Sequence, residues 1–260
     1  MKMAEEIPEH RKKNVSRGAG EGPWLTFRYL PTALFSLRMT HATSKGGKTL
    51  LVPTPYAVKL AFVDACFRVK GELLATEVLD WIKGREIRFL PPEHCIVQNT
   101  FQKVLQADRN SPRGYFSSTI AYREFCFYRG ELIVALDAAG LSSEQTETLE
   151  TIAAHINYFG KRGSFVQFLG SEKRELLPQS FTHPGGDPNI SANTYGVSNF
   201  LDDFGEEALK DKRLFDRIST YGKGSAPVLG KHRILVPTLL PYRLERSSRG
   251  FSHYRRIKGE

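Results

Sequence analysis

The residues of this chain that could do chemistry are basic and aromatic rather than nucleophilic or metal-binding. Positions 231–260 hold Lys231, Arg233, Arg243, Arg246, Arg249, Arg255, Arg256 and Lys258 against Glu245 and Glu260, a local charge of +6, with Tyr242, Phe251 and Tyr254 interleaved. Arginine beside an aromatic ring joins phosphate pairing to base stacking, the usual means of holding single-stranded RNA. A strand whose outward face is basic, as in Arg233–Val236 or Tyr242–Arg246, accounts for the same residues, and both readings stay open. The seven histidines are scattered, with no H-x-x-x-H or H-E-x-x-H spacing, and no G-x-S-x-G, phosphate-loop or dinucleotide fingerprint is present. Gly46-Gly47-Lys48-Thr49 ends like a phosphate loop but lacks its earlier glycine. Cys66, Cys95 and Cys126 form no C-x-x-C pair, so a zinc site or disulfide framework is not expected, and the chain reads as cytosolic. Asp202-Asp203 and Glu206-Glu207, followed by Lys210, Lys212 and Arg213, read as solvated ion pairs on one helix. A binding protein without cofactor or metal fits these residues better than an enzyme.

Whole-chain composition points the same way. The 260 residues carry 37 Lys+Arg against 28 Asp+Glu, a net +9 and a pI near 9.5, which favours a polyanionic partner. Hydrophobic residues make up 40%, enough for a real core, which excludes a mostly disordered chain. No apolar run reaches the roughly 18 residues of a membrane helix, so no membrane partner is expected. Residues 1–22, with Arg11-Lys12-Lys13 and no apolar stretch, read as a basic flexible tail rather than a secretory signal, or alternatively as an arm on nucleic acid.

Hydrophobic periodicity predicts the secondary structure that carries these residues. Trp24–Met39 predicts a strand interrupted or bent at Pro31. Pro55–Lys70 predicts a helix entered through Pro53 and Pro55 and closed by Gly71, with Val58, Ala61, Phe62, Ala65 and Val69 on one stripe. Leu73–Lys83 predicts a second helix, and Glu86–Leu90 a short strand. Cys95–Tyr115 shows no consistent period and is expected to be an irregular, mobile insertion. Ser118–Tyr128 and Glu131–Asp137 predict strands joined as a hairpin at Arg129-Gly130. Ser142 or Ser143 caps a helix to about Tyr158, and Ser164–Leu169 predicts a last strand. Residues 171–232 are looser, with one amphipathic helix near Asp202–Ile218. The order strand, helix, strand, strand, helix, strand belongs to ferredoxin-like and RRM-like folds.

Three segments carry a family resemblance. Leu51-Val52-Pro53-Thr54-Pro55-Tyr56-Ala57 before a helix resembles the early segment of the Cas-five family of CRISPR-associated RAMP proteins. Arg123-Glu124-Phe125, with Leu132 and Val134-Ala135-Leu136 after it, resembles that family's arginine-glutamate-tyrosine segment and its following strand. Asn157-Tyr158-Phe159-Gly160-Lys161-Arg162-Gly163-Ser164-Phe165 is similar to its glycine-containing turn after the second helix. The three stand in the family's order across about residues 51–169.

The resemblance implies an α+β, RRM-like RAMP domain over residues 23–170 with a thumb inserted at about 92–116, then a smaller, more irregular β-rich half over 171–260. It implies a non-catalytic, cytoplasmic, prokaryotic subunit of a type I CRISPR Cascade ribonucleoprotein, serving antiviral defence. That subunit caps the crRNA 5′ handle, contacts the backbone and large subunits, and lies against target DNA near its PAM-proximal end. Some members cut the precursor RNA with a tyrosine and a lysine-histidine pair. Here Arg123-Glu124 stands at the matching strand and Lys231-His232 lies far downstream, which argues against that activity. Endoribonuclease action through Tyr56, His41 and Lys45 is the alternative, and an unrelated RRM-like RNA-binding protein is the third reading. The expected RNA contacts are Arg123, Lys45, Lys48, Tyr56, Lys59, Asn99, Lys103, Arg113, Lys161 and Arg162. Arg123 would stack or pair at the base of the thumb, or instead form an ion pair with Glu124 or Glu131.

Overall fold

The computed structural model describes residues 20–40, 42, 46–107, 115–188, 190 and 195–257. Residues 1–19 of the expected tail, His41, Lys45 and Arg113 lie outside the described residues.

The first sheet is built around β1 (Glu21–Pro31), where alternate residues Leu25, Phe27 and Tyr29 are fully buried. β1 runs antiparallel between β6 (Leu132–Asp137) and β7 (Val166–Leu176), and β3 (Ile87–Leu90) lies antiparallel beyond β6, giving the order β3-β6-β1-β7. Helices α1 (Pro55–Lys70) and α3 (Ser143–Ala153) meet the apolar row of β1: Phe27 lies 5.2 Å from Phe62 of α1, and the Tyr29 hydroxyl donates to the Ala153 carbonyl at the end of α3, 3.0 Å away. α2 (Glu72–Ile82) packs beside α1 and buries Ala75, Val78, Leu79 and Ile82. The helix ends follow their local sequence. Thr54 accepts from the Ala57 amide and Pro55 opens α1, while Ser142 and Gln145 form a reciprocal capping box on α3. Such caps are each worth about 1 kcal/mol.

A second sheet, β8 (His183–Pro184), β10 (Arg233–Leu240) and β9 (Val197–Phe204), packs behind α1. Leu201, Phe204, Leu240 and Tyr242 share one continuous core with Phe27 and Phe62, so the two halves of the chain are joined by burial. α4 (Glu206–Lys210) and α5 (Leu214–Ile218) follow β9. No described helix is long and apolar enough to cross a membrane.

The third sheet carries Arg243, Arg246, Arg255 and Arg256 of the basic C-terminal segment together with Lys103, Arg123 and Arg129. β3 continues past Pro91-Pro92 into β4 (His94–Ala107), which pairs along its whole length with β5 (Phe116–Arg129). The C-terminal strands β11 (Tyr242–Ser247) and β12 (Phe251–Arg256) add to the other edge of β4, and Gly46–Gly47, β2, adds in parallel to β5, giving the order β11-β12-β4-β5-β2.

Cys95–Tyr115 is not irregular through its described part, because most of it is β4. Core packing in β4 lies at the root of the hairpin, at Cys95 and Val97, while further out Phe101, Val104 and Leu105 follow no fixed spacing and Phe101 and Leu105 are exposed, which blurs the period. Arg129-Gly130 is not a hairpin turn. β5 and β6 belong to different sheets, and Gly130, at φ +107, bends the chain from one to the other. The strand beginning near Trp24 ends at Pro31, which has no N–H to extend the ladder. The helix after Ser142 stops at Ala153 rather than about Tyr158, and the last strand runs on to Leu176. Asp202 and Asp203 are not on a helix. They are buried on β9, and of the ion pairs expected there the i,i+4 contact Glu206–Lys210 is present, at 3.6 Å.

Candidate nucleic-acid interface

Side chains alternate across a strand, so register fixes which residues share a face. One face of the third sheet is core: Cys95, Cys126, Tyr128 and Tyr242 are buried there, and Tyr254 is packed against them. The opposite face carries aligned rows. Arg243, Arg255, His94 and Arg129 stand side by side across β11, β12, β4 and β5. The next row holds Arg246, His253, Ile96 and Phe127, then Phe251, Gln98 and Phe125, then Thr100 and Arg123. Five arginines and three phenylalanines thus interleave on one surface, with Phe127 52% and Phe251 38% exposed.

Few carboxylates oppose this charge. Glu245 accepts from Arg243 at 3.0 Å and lies 3.7 Å from Arg255. The Arg243 hydrogen bond holds the Glu245 carboxyl below the usual carboxylate range. His94 Nδ1 and His253 Nε2 are 3.0 Å apart and share a hydrogen bond across β4 and β12.

Arg123 sits on this face, half-buried, with one guanidinium nitrogen donating to its neighbour's carbonyl, Tyr122 O, at 2.8 Å. It forms no ion pair with Glu124 or Glu131. Glu131 binds Arg28 through two hydrogen bonds of 2.8 and 2.9 Å, and Glu124 accepts from the Thr49 amide at 3.0 Å. β2 fits beside it because Gly47 has no side chain: a Cβ there would lie 2.9 Å from Tyr122 O and 3.0 Å from the Arg123 side chain. Lys48 follows β2 and is exposed. Lys161 and Arg162 are exposed in the turn between α3 and β7, and Lys161 Nζ lies 5.8 Å from the Phe125 ring centroid, within cation–π range.

Other expected contacts are elsewhere. Lys59 is 1% exposed, its Nζ 2.6 Å from Asp203 and 3.0 Å from the Lys83 carbonyl, so it ties α1 to β9 and cannot meet RNA. Asn99 and Lys103 belong to the opposite face from Arg123 in the β4 alternation. Asn99 Nδ2 donates to the Arg249 carbonyl at 3.2 Å, holding the β11–β12 turn, and Lys103 is exposed near Phe101 and Ile120. Tyr56 packs edge-on to Phe204 at 4.9 Å with the Arg233 guanidinium 4.6 Å above its ring. Burial raises its phenol pKa, partly offset by Arg233, so it stays a neutral donor. Lys231-His232 lies just before β10.

Sequence reading missed His94, Arg129, Phe127 and His253 as members of one surface. The signal was the two-residue alternation in Phe125-Cys-Phe127-Tyr-Arg129 and Phe251-Ser-His253-Tyr-Arg255. Among the described residues no cluster of three or more His, Cys, Asp or Glu is placed to hold a metal.

No family model matches the chain. It is 23% identical over 224 residues to a curated Archaeoglobus fulgidus protein named CRISPR-associated protein Cas5, covering 82% of this chain and 92% of that one. The Cas-five resemblance read over residues 51–169 is therefore borne out by a relative of that name. Solved structures similar to the chain include a CRISPR protein from Archaeoglobus fulgidus, at TM-score 0.47 and 12% identity, covering 90% of this chain and 92% of that one. A CRISPR RNA-guided surveillance complex matches at TM-score 0.38 and 14% identity, covering 84% of this chain and 90% of that chain. A type III-B Cmr-beta complex bound to cognate target RNA matches at TM-score 0.41 and 9% identity, covering 60% and 61%.

Proposed function

We propose that the chain is an RNA-binding subunit of a CRISPR effector complex. In this reading it caps the crRNA 5′ handle in a type I Cascade and bridges the backbone subunits to the large subunit, beside the target DNA. The observation that carries it is the outward face of the third sheet, where Arg243, Arg255, Arg129, Arg246 and Arg123 alternate with Phe127, Phe125 and Phe251. Arginines pair phosphates and rings stack bases, which together hold a single strand without needing a duplex groove. The relative named Cas5 supports the same reading. So does the first sheet, whose β1-α-β3-β6-α3-β7 order and antiparallel β3-β6-β1-β7 arrangement fit a ferredoxin-like RAMP domain, with the β4–β5 hairpin as its thumb.

The subunit acts by holding RNA, not by cutting it. A 2′-OH activator must be able to take a proton near neutral pH. Tyr56, packed against Phe204 and raised in pKa by burial, is poorly suited to that role. Purified protein incubated with labelled repeat RNA in EDTA should leave it intact. Site-specific cleavage lost in Tyr56→Phe or His41→Ala would replace this reading with the endoribonuclease one. Expression beside the neighbouring effector genes should co-purify the chain with a defined-length RNA and further subunits. Recovery of the chain free of both would contradict the assignment.

A further inference from the structure

A cavity of about 580 Å³ opens between α1, residues 37–40, the 158–161 turn and α5 with the residues after it. Its volume falls within the range that holds small organic ligands. Its floor is apolar, with Leu60, Ala61 and Ile218, and aromatic rings enter from several sides, Tyr56 from α1, Phe215 from α5 and Tyr221 beyond it. Gly160, at φ +69, lets the 158–161 turn close over one end, where a Cβ would lie 3.0 Å from Leu37. The two acids at the cavity are neutralised: Asp64 pairs with Arg68 at 3.0 Å and Asp202 with Arg233. Arg38 and Lys161, both exposed at the rim, pair with no carboxylate among the described residues. An apolar, ring-lined cavity under two unopposed cations suits a flat ligand with an anionic tail.

We propose that this cavity takes one flipped-out nucleotide of the bound RNA, its base among Tyr56, Phe215 and Tyr221 and its phosphate between Arg38 and Lys161. The proposal rests on the RNA-binding reading above, and Lys161 supplies the continuity. The same ammonium that lines the cavity stands 5.8 Å from the Phe125 ring, on the face that carries Arg123. A strand lying on that face therefore passes the cavity mouth. A nucleotide already held there by its neighbours enters with little further loss of freedom, which a free mononucleotide lacks. The Tyr56 hydroxyl, kept protonated, is a donor to the base edge.

The test scans an abasic site along a single-stranded repeat-derived RNA and measures affinity for the full chain. One position should weaken binding at least about tenfold, equivalent to about 1.4 kcal/mol, with a much smaller loss at the others. The scan should become flat in Ala61→Phe, which fills the cavity floor, and the penalty should shrink in Tyr221→Ala, an exposed residue whose loss spares the core. A scan that is flat on the wild-type protein, with RNA still bound, overturns the cavity assignment and leaves the RNA-binding reading standing, whereas absence of RNA binding defeats both. Saturation of the cavity by free AMP or UMP, seen as a thermal shift lost in Ala61→Phe while RNA affinity is unchanged, would also overturn it.

Discussion

Residue type alone did not separate two basic side chains with opposite fates. Lys59 lies on the helix just after one family-like segment, Leu51–Ala57, and Arg123 lies on a strand within another. Burial decides between them. Lys59 is enclosed against Asp203, and removing one partner of a buried pair leaves the other charge uncompensated, at a cost of about 3–5 kcal/mol. Lys59→Ala should lower the melting temperature by several degrees, with RNA affinity unaltered in whatever fraction stays folded; a thermal melt and a binding titration on the same sample check it. Arg123 has no carboxylate partner among the described residues, and its guanidinium donates to the backbone carbonyl of Tyr122. Arg123→Ala should cost on the order of 1–3 kcal/mol in RNA binding, the range for one stacked base, and scarcely move the melting temperature. Arg123→Lys should restore little, since an ammonium cannot reproduce a planar guanidinium. A large stability loss with intact RNA affinity would make Arg123 a structural residue. The sequence offered no way to tell the two, because the carboxylate that captures Lys59 comes from 144 residues away.

Elements bounded by strong local signals were legible, and those defined by distant partners were not. α1 matches its expected bounds because proline, a capping threonine and a terminal glycine act within a few residues of each end. Of the β4–β5 hairpin only β4 lacks a legible period, because its outer half has no core beneath it to enforce a polar–apolar alternation, whereas β5 lies where Ser118–Tyr128 predicts a strand. The acidic run at 202–207 imitated a helix surface, yet β9 needs Asp202 and Asp203 as buried partners for Arg233 and Lys59. The basic C-terminal segment was legible as charge but not as location: pairing of β12 with β4 turns a tail into one edge of the surface. Glu245 is the acid within that edge. Held below the ordinary carboxylate range by Arg243, it stays ionised at neutral pH and should lose its charge only at pH below that range. Glu245→Gln should therefore tighten RNA binding at neutral pH, and the difference between mutant and wild type should shrink as the wild-type carboxyl is protonated. Equal affinities at neutral pH would place the RNA away from β11.

Across the whole molecule, one core joins both halves of the chain, and the outward face of the third sheet brings five arginines onto one surface. The net charge of +9 foretold a polyanion, but charge alone is a property of the whole chain and names no surface. Register does, because it gathers residues from four strands, as far apart in sequence as His94 and Arg255, into adjoining positions. On the reading proposed above, this surface holds single-stranded RNA through its phosphates as well as its bases. Measuring affinity for single-stranded repeat RNA over a range of salt tests it most directly. If the arginines of that face neutralise about five phosphates, log K should fall against log salt with a slope of about −3 to −4, and Arg243→Ala with Arg255→Ala should flatten it by about 1.4. A salt-independent affinity, or a slope untouched by the double substitution, would contradict the account.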